Sequence, residues 1–201
     1  MGIIERKERQ RQEVRDSILD AAWKLVHEEG WANLSIRKIA DAIEYSVPVV
    51  YDHFENKEAI LLEFTRRGFR QLNEQLVAAK DKFINAEQQI EAIAYAYWKF
   101  AFNHKEYYQL MYGLGMPGCD AVKQIPELAS FTETVSTPIR EMIAKSKYPA
   151  ADSFLKLHTF WSTLHGLVSI NMMGKNNDHK DELNAMVLKD FLIGFVSGIK
   201  G

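Results

Sequence analysis

The chain has 201 residues, 47% of them hydrophobic and 26% charged, with a single cysteine. That length and apolar fraction fit one medium domain or a small module joined to a larger one and exclude disorder, while a lone cysteine excludes an intramolecular disulfide framework and a cysteine-based zinc site and fits a reducing compartment. A net charge of −2 does not announce a nucleic-acid binder, so any such role has to come from a local patch.

The N-terminus is charged from Glu5 onward and has no apolar export core. Ile18, Ala21, Ala22, Leu25 and Val26 then recur at helical spacing, which predicts a helix over 8–29 stopped by Gly30. Ser35 or Asn33 can cap a second helix, 35–43, with Ile36, Ile39, Ala40 and Ile43 on one face. A third, 47–53, carries Pro48 in its first turn, where proline is tolerated. Asn56-Lys57-Glu58 opens a fourth that runs to about residue 80. Further helices are predicted at 87–103, 104–113, 125–147, 151–174 and 179–199, with Pro138 expected to kink the third of these and Gly113–Gly118 as a loop. No run alternates apolar and polar residues long enough for a sheet, so the fold class is all-α. Leu157–Gly174 carries no charge and is about long enough to span a bilayer, but its His, Ser, Thr and Asn side chains would lack partners in lipid. A buried helix in a cytoplasmic chain with no membrane span is the expectation.

The second and third helices, joined by Glu44-Tyr45-Ser46, make a helix-turn-helix on the platform of the first. In that arrangement the second short helix enters a DNA major groove and the first crosses the phosphate backbone. Ile39, Ala40 and Ile43 are expected to face Val50 and Phe54, leaving Val47, Pro48, Val49, Asp52 and His53 outward. Three apolar residues on a solvated face suit thymine methyls and sugar edges, or else the packing of a small bundle; spacing alone leaves both open.

Leu34–Leu61, LSIRKIADAIEYSVPVVYDHFENKEAIL, resembles the signature of the TetR/AcrR family of transcriptional regulators. Ser35, Arg37, Ile39, Ala40, Ser46, Tyr51, His53, Phe54, Lys57, Glu58 and Leu61 fall in register without a gap. The chain departs from the pattern where Glu44 replaces the turn glycine and Pro48 a second glycine. The resemblance implies a DNA-binding domain over 11–71, with its motif at about 34–53, and an effector-binding and dimerisation domain over 75–201. It implies phosphate contacts from Ser35, Tyr51, His53 and Lys57, and base or groove contacts from Arg37, Val47, Pro48 and Val49, with Ser46 opening the reading helix. The first seventy residues hold 12 Lys and Arg against 13 Asp and Glu, so binding rests on arrangement. Arg6, Lys7, Arg9, Arg11 and Arg15 form a basic arm, expected to be disordered alone and to add phosphate contacts on DNA.

The larger segment is rich in aromatics. Trp98, Phe102, Tyr107, Tyr108, Met111, Phe131, Trp161 and His165 are candidate walls of an effector pocket, beside the uncharged, glycine-rich stretch Tyr107–Cys119; plain core is the alternative for most of them. Tyr107–Tyr112 and the spacing Trp161-x-x-x-His165-Gly166 resemble an effector domain of one branch of the same family. Leu183, Met186, Val187, Phe191 and Phe195 form a stripe, with Gly194 and Gly198 one turn apart. With Leu157, Leu164 and Val168 they are expected to form a homodimer interface, or a core within one subunit. No metal spacing, nucleophile motif, P-loop or dinucleotide fingerprint is present, so no cofactor, metal or catalytic residue is expected. The function expected is a DNA-binding regulator, a repressor released from double-stranded operator DNA by a small, fairly apolar effector. An all-helical enzyme or a helical adaptor without a DNA role is the alternative.

Overall fold

In the computed structural model, the described residues are 2–113, 125–172 and 178–201, without the side chains of 178–181. The glycine-rich stretch from Leu114, with Met116 and Cys119, lies outside them, as do residues 173 and 174. Among the described residues there are nine α-helices and no strand: α1 (Ile3–Glu29), α2 (Ile36–Ala42), α3 (Val47–Tyr51), α4 (Lys57–Lys80), α5 (Ala86–Asn103), α6 (Lys105–Met111), α7 (Pro126–Ala144), α8 (Ser153–Met172) and α9 (Asp178–Lys200). The all-α architecture follows the apolar periodicity element by element.

Two compact units divide the chain. The first comprises Met1–Arg67 with Glu106–Val122; the second comprises Gly68–Lys105 with Lys123–Gly201. The segment 106–113 therefore packs with the N-terminal helices.

In the first unit, α1 is longer than its periodicity suggests. No glycine or proline interrupts Ile3–Glu29, and the Glu5 carboxylate accepts from the Gly2 amide at 2.8 Å, satisfying one open donor of the first turn. The basic arm is thus helical rather than disordered, although residues 2–13 are all exposed. The core gathers Ile18, Leu19, Ala22 and Val26 of α1 against Ile39, Ala40, Val50, Phe54, Ile60 and Phe64. An aromatic cluster extends it: the Trp23 ring stacks on Tyr107 with centroids 4.3 Å apart, and Trp31 Nε1 donates to the Glu106 carbonyl at 2.8 Å.

In the second unit, α5, α7, α8 and α9 pack together with the last turns of α4. Phe69, Leu72 and Leu76 meet a core of Ile90, Tyr97, Phe100, Phe131, Ile139, Phe160 and Leu188. Leu157, Leu164 and Val168, expected at a dimer interface, are buried within this unit instead. Periodicity identified an apolar face of α8 but not which neighbour would cover it. Pro138 is buried inside α7, which continues as helix to Ala144.

Candidate nucleic-acid interface

The helix-turn-helix is fixed by its caps. Ser35 Oγ accepts from the Lys38 amide at 3.3 Å and starts α2. At the other end the Tyr45 amide donates to the Ala40 carbonyl at 3.0 Å and the Glu44 amide to Asp41 at 3.3 Å. This nested pair is the Schellman closure, which requires a left-handed residue between the two helices. Glu44 fills that position at φ 58° and is the one non-glycine residue with positive φ among those described. Such a conformation costs a side-chain-bearing residue about 1–2 kcal/mol.

The five-residue α3 hangs on Val50, wholly buried, and on Phe54 just beyond its end. Ser46, Pro48, Tyr51 and Asp52 are exposed, and Val49 and His53 are half-buried. Val47, expected outward, is half-buried and lies partly against the core. Asn56 Oδ1 accepts from the Ala59 amide at 2.8 Å and caps α4. Lys57 stands in that first turn, where open amides and the helix dipole favour an anion. Among the described residues, no side-chain hydrogen bond or ion pair engages Arg37, Tyr51 or Lys57. Lys38, by contrast, is paired with Glu29.

Two arginines of α1 lock the end of α3, which spacing could not foresee. Arg15 Nη1 donates to the His53 carbonyl at 3.0 Å, its guanidinium lies 4.1 Å from the Phe54 ring centroid, and Nη2 meets Glu63 at 3.6 Å. Arg11 Nη2 donates to the Asp52 carbonyl at 3.4 Å. Cations at the C-terminal carbonyls of a helix complement its dipole. Burial first, and then the Arg11 and Arg15 charges, hold the His53 imidazole below the ordinary histidine value; Asp52 opposes them. The only sequence signal for this lock is the four-residue step from Arg11 to Arg15, which puts both on one side of α1.

The residues expected around an effector are divided between the units. Tyr107, Tyr108 and Met111 belong to the first, where the Tyr107 ring is covered by Trp23 and Tyr108 and Met111 are buried. The other five belong to the second. There the Trp98 and Phe102 rings lie 4.6 Å apart, and Trp161 and His165 lie 6.1 Å apart on α8. Phe131 is core, flanked by Tyr97 and Phe69. Burial holds His165 below the usual histidine value. A cleft of about 520 Å3 opens between α5 and α9, lined by Gln88 and Glu91 on one side and Leu192, Ile193 and Val196 on the other. None of the expected pocket residues borders it.

On α9, Leu183, Met186, Val187 and Ile193 are exposed, whereas Phe195 is buried. A Cβ added at Gly166, Gly194 or Gly198 would meet nothing within 4 Å. Among the described residues no His, Cys, Asp or Glu cluster could hold a metal, and no helix is long and apolar enough to cross a membrane.

Comparison with known proteins agrees with this arrangement. Residues 18–64 match the model of bacterial regulatory proteins of the tetR family, and residues 90–191 match the tetracyclin repressor-like C-terminal domain. An uncharacterized HTH-type transcriptional regulator of Mycobacterium tuberculosis is 24% identical over 92% of this chain and 81% of its own. A protein of unknown function from Rhodococcus sp. RHA1 shares the fold with a TM-score of 0.74 at 23% identity, covering 93% of this chain and 95% of that one. The transcriptional regulator FadR from Bacillus subtilis, solved in complex with stearoyl-CoA, does so with a TM-score of 0.71 at 20% identity, covering 90% and 97%. The capped helix-turn-helix and two family matches that together take in most of the chain make it a member of the TetR family of bacterial transcriptional regulators.

Proposed function

We propose that the protein is a homodimeric cytoplasmic repressor that acts by binding, without catalysis, and leaves its operator when a small, largely apolar effector occupies the second unit. The observation that carries the DNA side is the set of unengaged donors around α3. The side chains of Arg37, Tyr51 and Lys57 have no internal partner among the described residues, while Arg11 and Arg15 hold the carbonyls at the end of α3. Ser35, Ser46, Pro48, Val49 and His53 complete the surface, and Val47 adds its outer edge. On this reading DNA binding falls to about 11–71 and effector response and dimerisation to about 75–201.

The exposed apolar residues of α9 and the open space over Gly194 and Gly198 support a second copy packing there. Two copies would present two α3 helices to a pseudo-palindromic site, spaced by about one helical turn of DNA. For the effector, support comes from the aromatic pairs Trp98–Phe102 and Trp161–His165 and from the stearoyl-CoA bound to the Bacillus subtilis regulator. A compound with a long acyl chain is the class to test first. To invert a 99:1 population such an effector must prefer the released form by about 10⁴-fold, or about 5.5 kcal/mol.

The experiment selects bound fragments from genomic DNA, then titrates acyl-CoAs, free fatty acids and polar metabolites against the complex. Binding of a discrete operator, and its release by acyl compounds at concentrations that also raise the melting temperature, is the expected result. No sequence-preferring DNA binding, or release by small polar metabolites alone, overturns the proposal.

A further inference from the structure

We propose that one end of the second unit is a docking surface for an anionic lipid bilayer, on which the protein lies without crossing it. Such docking needs neither DNA nor an effector. Two loops and the end of α9 meet there. The loop from α4 to α5 carries Lys82, Phe83 and Ile84, and the loop from α7 to α8 carries Lys147 and Tyr148. The end of α9 joins them. The Lys147 amide donates to the Lys200 carbonyl at 3.2 Å, the Tyr148 ring lies against Gly201, and Lys200 Nζ is 2.7 Å from Glu87 at the start of α5.

Ile84 is 95% exposed, Tyr148 63% and Phe83 38%. Both loops are tied, so the exposure is built in. The Phe83 amide donates to the Lys80 carbonyl at 3.1 Å, and the Phe83 carbonyl accepts from Gln89 Nε2 at 2.9 Å. On the other side of Ile84, Asn85 Oδ1 accepts from the Glu87 amide at 2.8 Å. In the second loop the Tyr148 amide donates to Ser146 Oγ at 3.0 Å, and the Tyr148 carbonyl accepts from the Ala151 amide at 2.9 Å. The fold thus holds these apolar side chains out in water, where they gain nothing from burial within the protomer. Phe154 and Leu155, exposed in the first turn of α8, widen the same end, since the adjacent Lys156 Nζ donates to the Gly198 carbonyl at 3.2 Å.

The charges select the occupant. Lys80, Lys145 and Lys200 are paired with Asp81, Glu141 and Glu87, and the Asp152 carboxylate accepts from the Phe154 and Leu155 amides. Lys82 and Lys147 remain, exposed beside the apolar tips and without an ion pair or side-chain hydrogen bond among the described residues. Protruding apolar side chains flanked by ammonium groups match the layers of an anionic bilayer face, phosphates outside and acyl chains beneath. Tyrosine suits that boundary, with an apolar ring and a wet hydroxyl. A second copy packed end to end would set lysine against lysine. A nucleic-acid backbone would engage the lysines but leave Phe83 and Ile84 in water.

The test floats the full-length protein with vesicles of phosphatidylcholine, alone or mixed with phosphatidylglycerol. Binding to the mixed vesicles, weakened by salt and missing on the neutral ones, is the expected result. Lys82→Gln and Lys147→Gln should each lower the partition coefficient about fivefold. Phe83→Ser and Ile84→Ser together should lower it about tenfold, with DNA binding unchanged. Tyr95→Ser removes an exposed ring elsewhere on α5 and should not move it. Ile84→Trp should add emission that shifts to the blue on mixed vesicles and is quenched by lipids brominated in their acyl chains. Equal binding to neutral vesicles, a partition unmoved by the tip variants, or added emission that ignores the lipid overturns the proposal. So does binding lost with Arg6→Gln and Arg9→Gln instead, which would place the lipid on α1. Tip variants that change the sedimentation of lipid-free protein would give the surface to a second copy and overturn it too. Each of these outcomes leaves the regulator reading standing.

Discussion

Replacing Glu44 with glycine should stabilise the protein, and the structure sets the size of the effect. Glu44 is exposed, takes part in no side-chain hydrogen bond or ion pair among the described residues, and sits at φ 58°. Left-handed backbone costs a residue with a Cβ about 1–2 kcal/mol. Glycine removes that cost but adds roughly 0.4–1 kcal/mol of unfolded-chain entropy to be lost on folding. The net gain is about 0.5–1 kcal/mol, or about 1–4 °C in melting temperature for a chain of this size. The Tyr45–Ala40 and Glu44–Asp41 backbone bonds persist in the variant, because neither uses the side chain. Urea and thermal unfolding by circular dichroism would compare wild type, Glu44→Gly and Glu44→Ala. Alanine also loses the carboxylate but keeps the steric cost, so it should not share the gain. Equal midpoints for Gly and Ala would show that the turn stores no strain.

Lys57→Ala should weaken binding to all DNA sequences about equally and reduce the salt slope by about one unit; an unchanged slope in a folded variant would remove Lys57 from the contacts. Gly194→Leu meets open space within the protomer, so it should leave the fold intact while overpacking an interface between copies. Sedimentation should show a shift toward monomer, and an unshifted dimer would place the interface elsewhere. Both His53 and His165 are held below the ordinary histidine value, so the unfolded chain binds protons first as pH falls. Their effect on stability is absent above about pH 6.5 and grows as a penalty below it, down to the folded-state values. The urea midpoint should fall between pH 7.5 and 5.5, and His165→Gln should reduce that fall. A fall of the same size in the variant would exclude His165 as a source.

The reading motif was legible because its determinants are local. Ser35 caps its own helix, Pro48 lies where a helix begins, and the left-handed position between α2 and α3 is a property of a few consecutive residues. Helix existence was equally legible, since apolar spacing reports which side of a helix is buried. What covers that side is a tertiary fact. Leu157, Leu164 and Val168 lie on an apolar face whether a sister helix or a second subunit covers them, and here the covering is internal. Arg15 looked like one more basic arm residue, but its partners are 38 and 48 positions away, at His53 and Glu63. Tyr107 shows the same limit. An aromatic in a glycine-rich neighbourhood suggests a pocket wall, yet its ring lies on Trp23, far upstream in the chain.

The aromatic cluster of the first unit has a practical consequence. The four tryptophans are shared equally: Trp23 and Trp31 belong to the first unit, Trp98 and Trp161 to the second. The chain thus carries intrinsic optical reporters in each unit. Phenylalanine at positions 98 and 161 would leave emission from the reading head alone, and phenylalanine at 23 and 31 would leave emission from the second unit. Trp23 is stacked on Tyr107 and Trp31 is hydrogen-bonded to the Glu106 carbonyl, so emission from the head depends directly on whether α6 stays seated. Any event that unseats α6 would be visible without a label as a change in the light from Trp23 and Trp31.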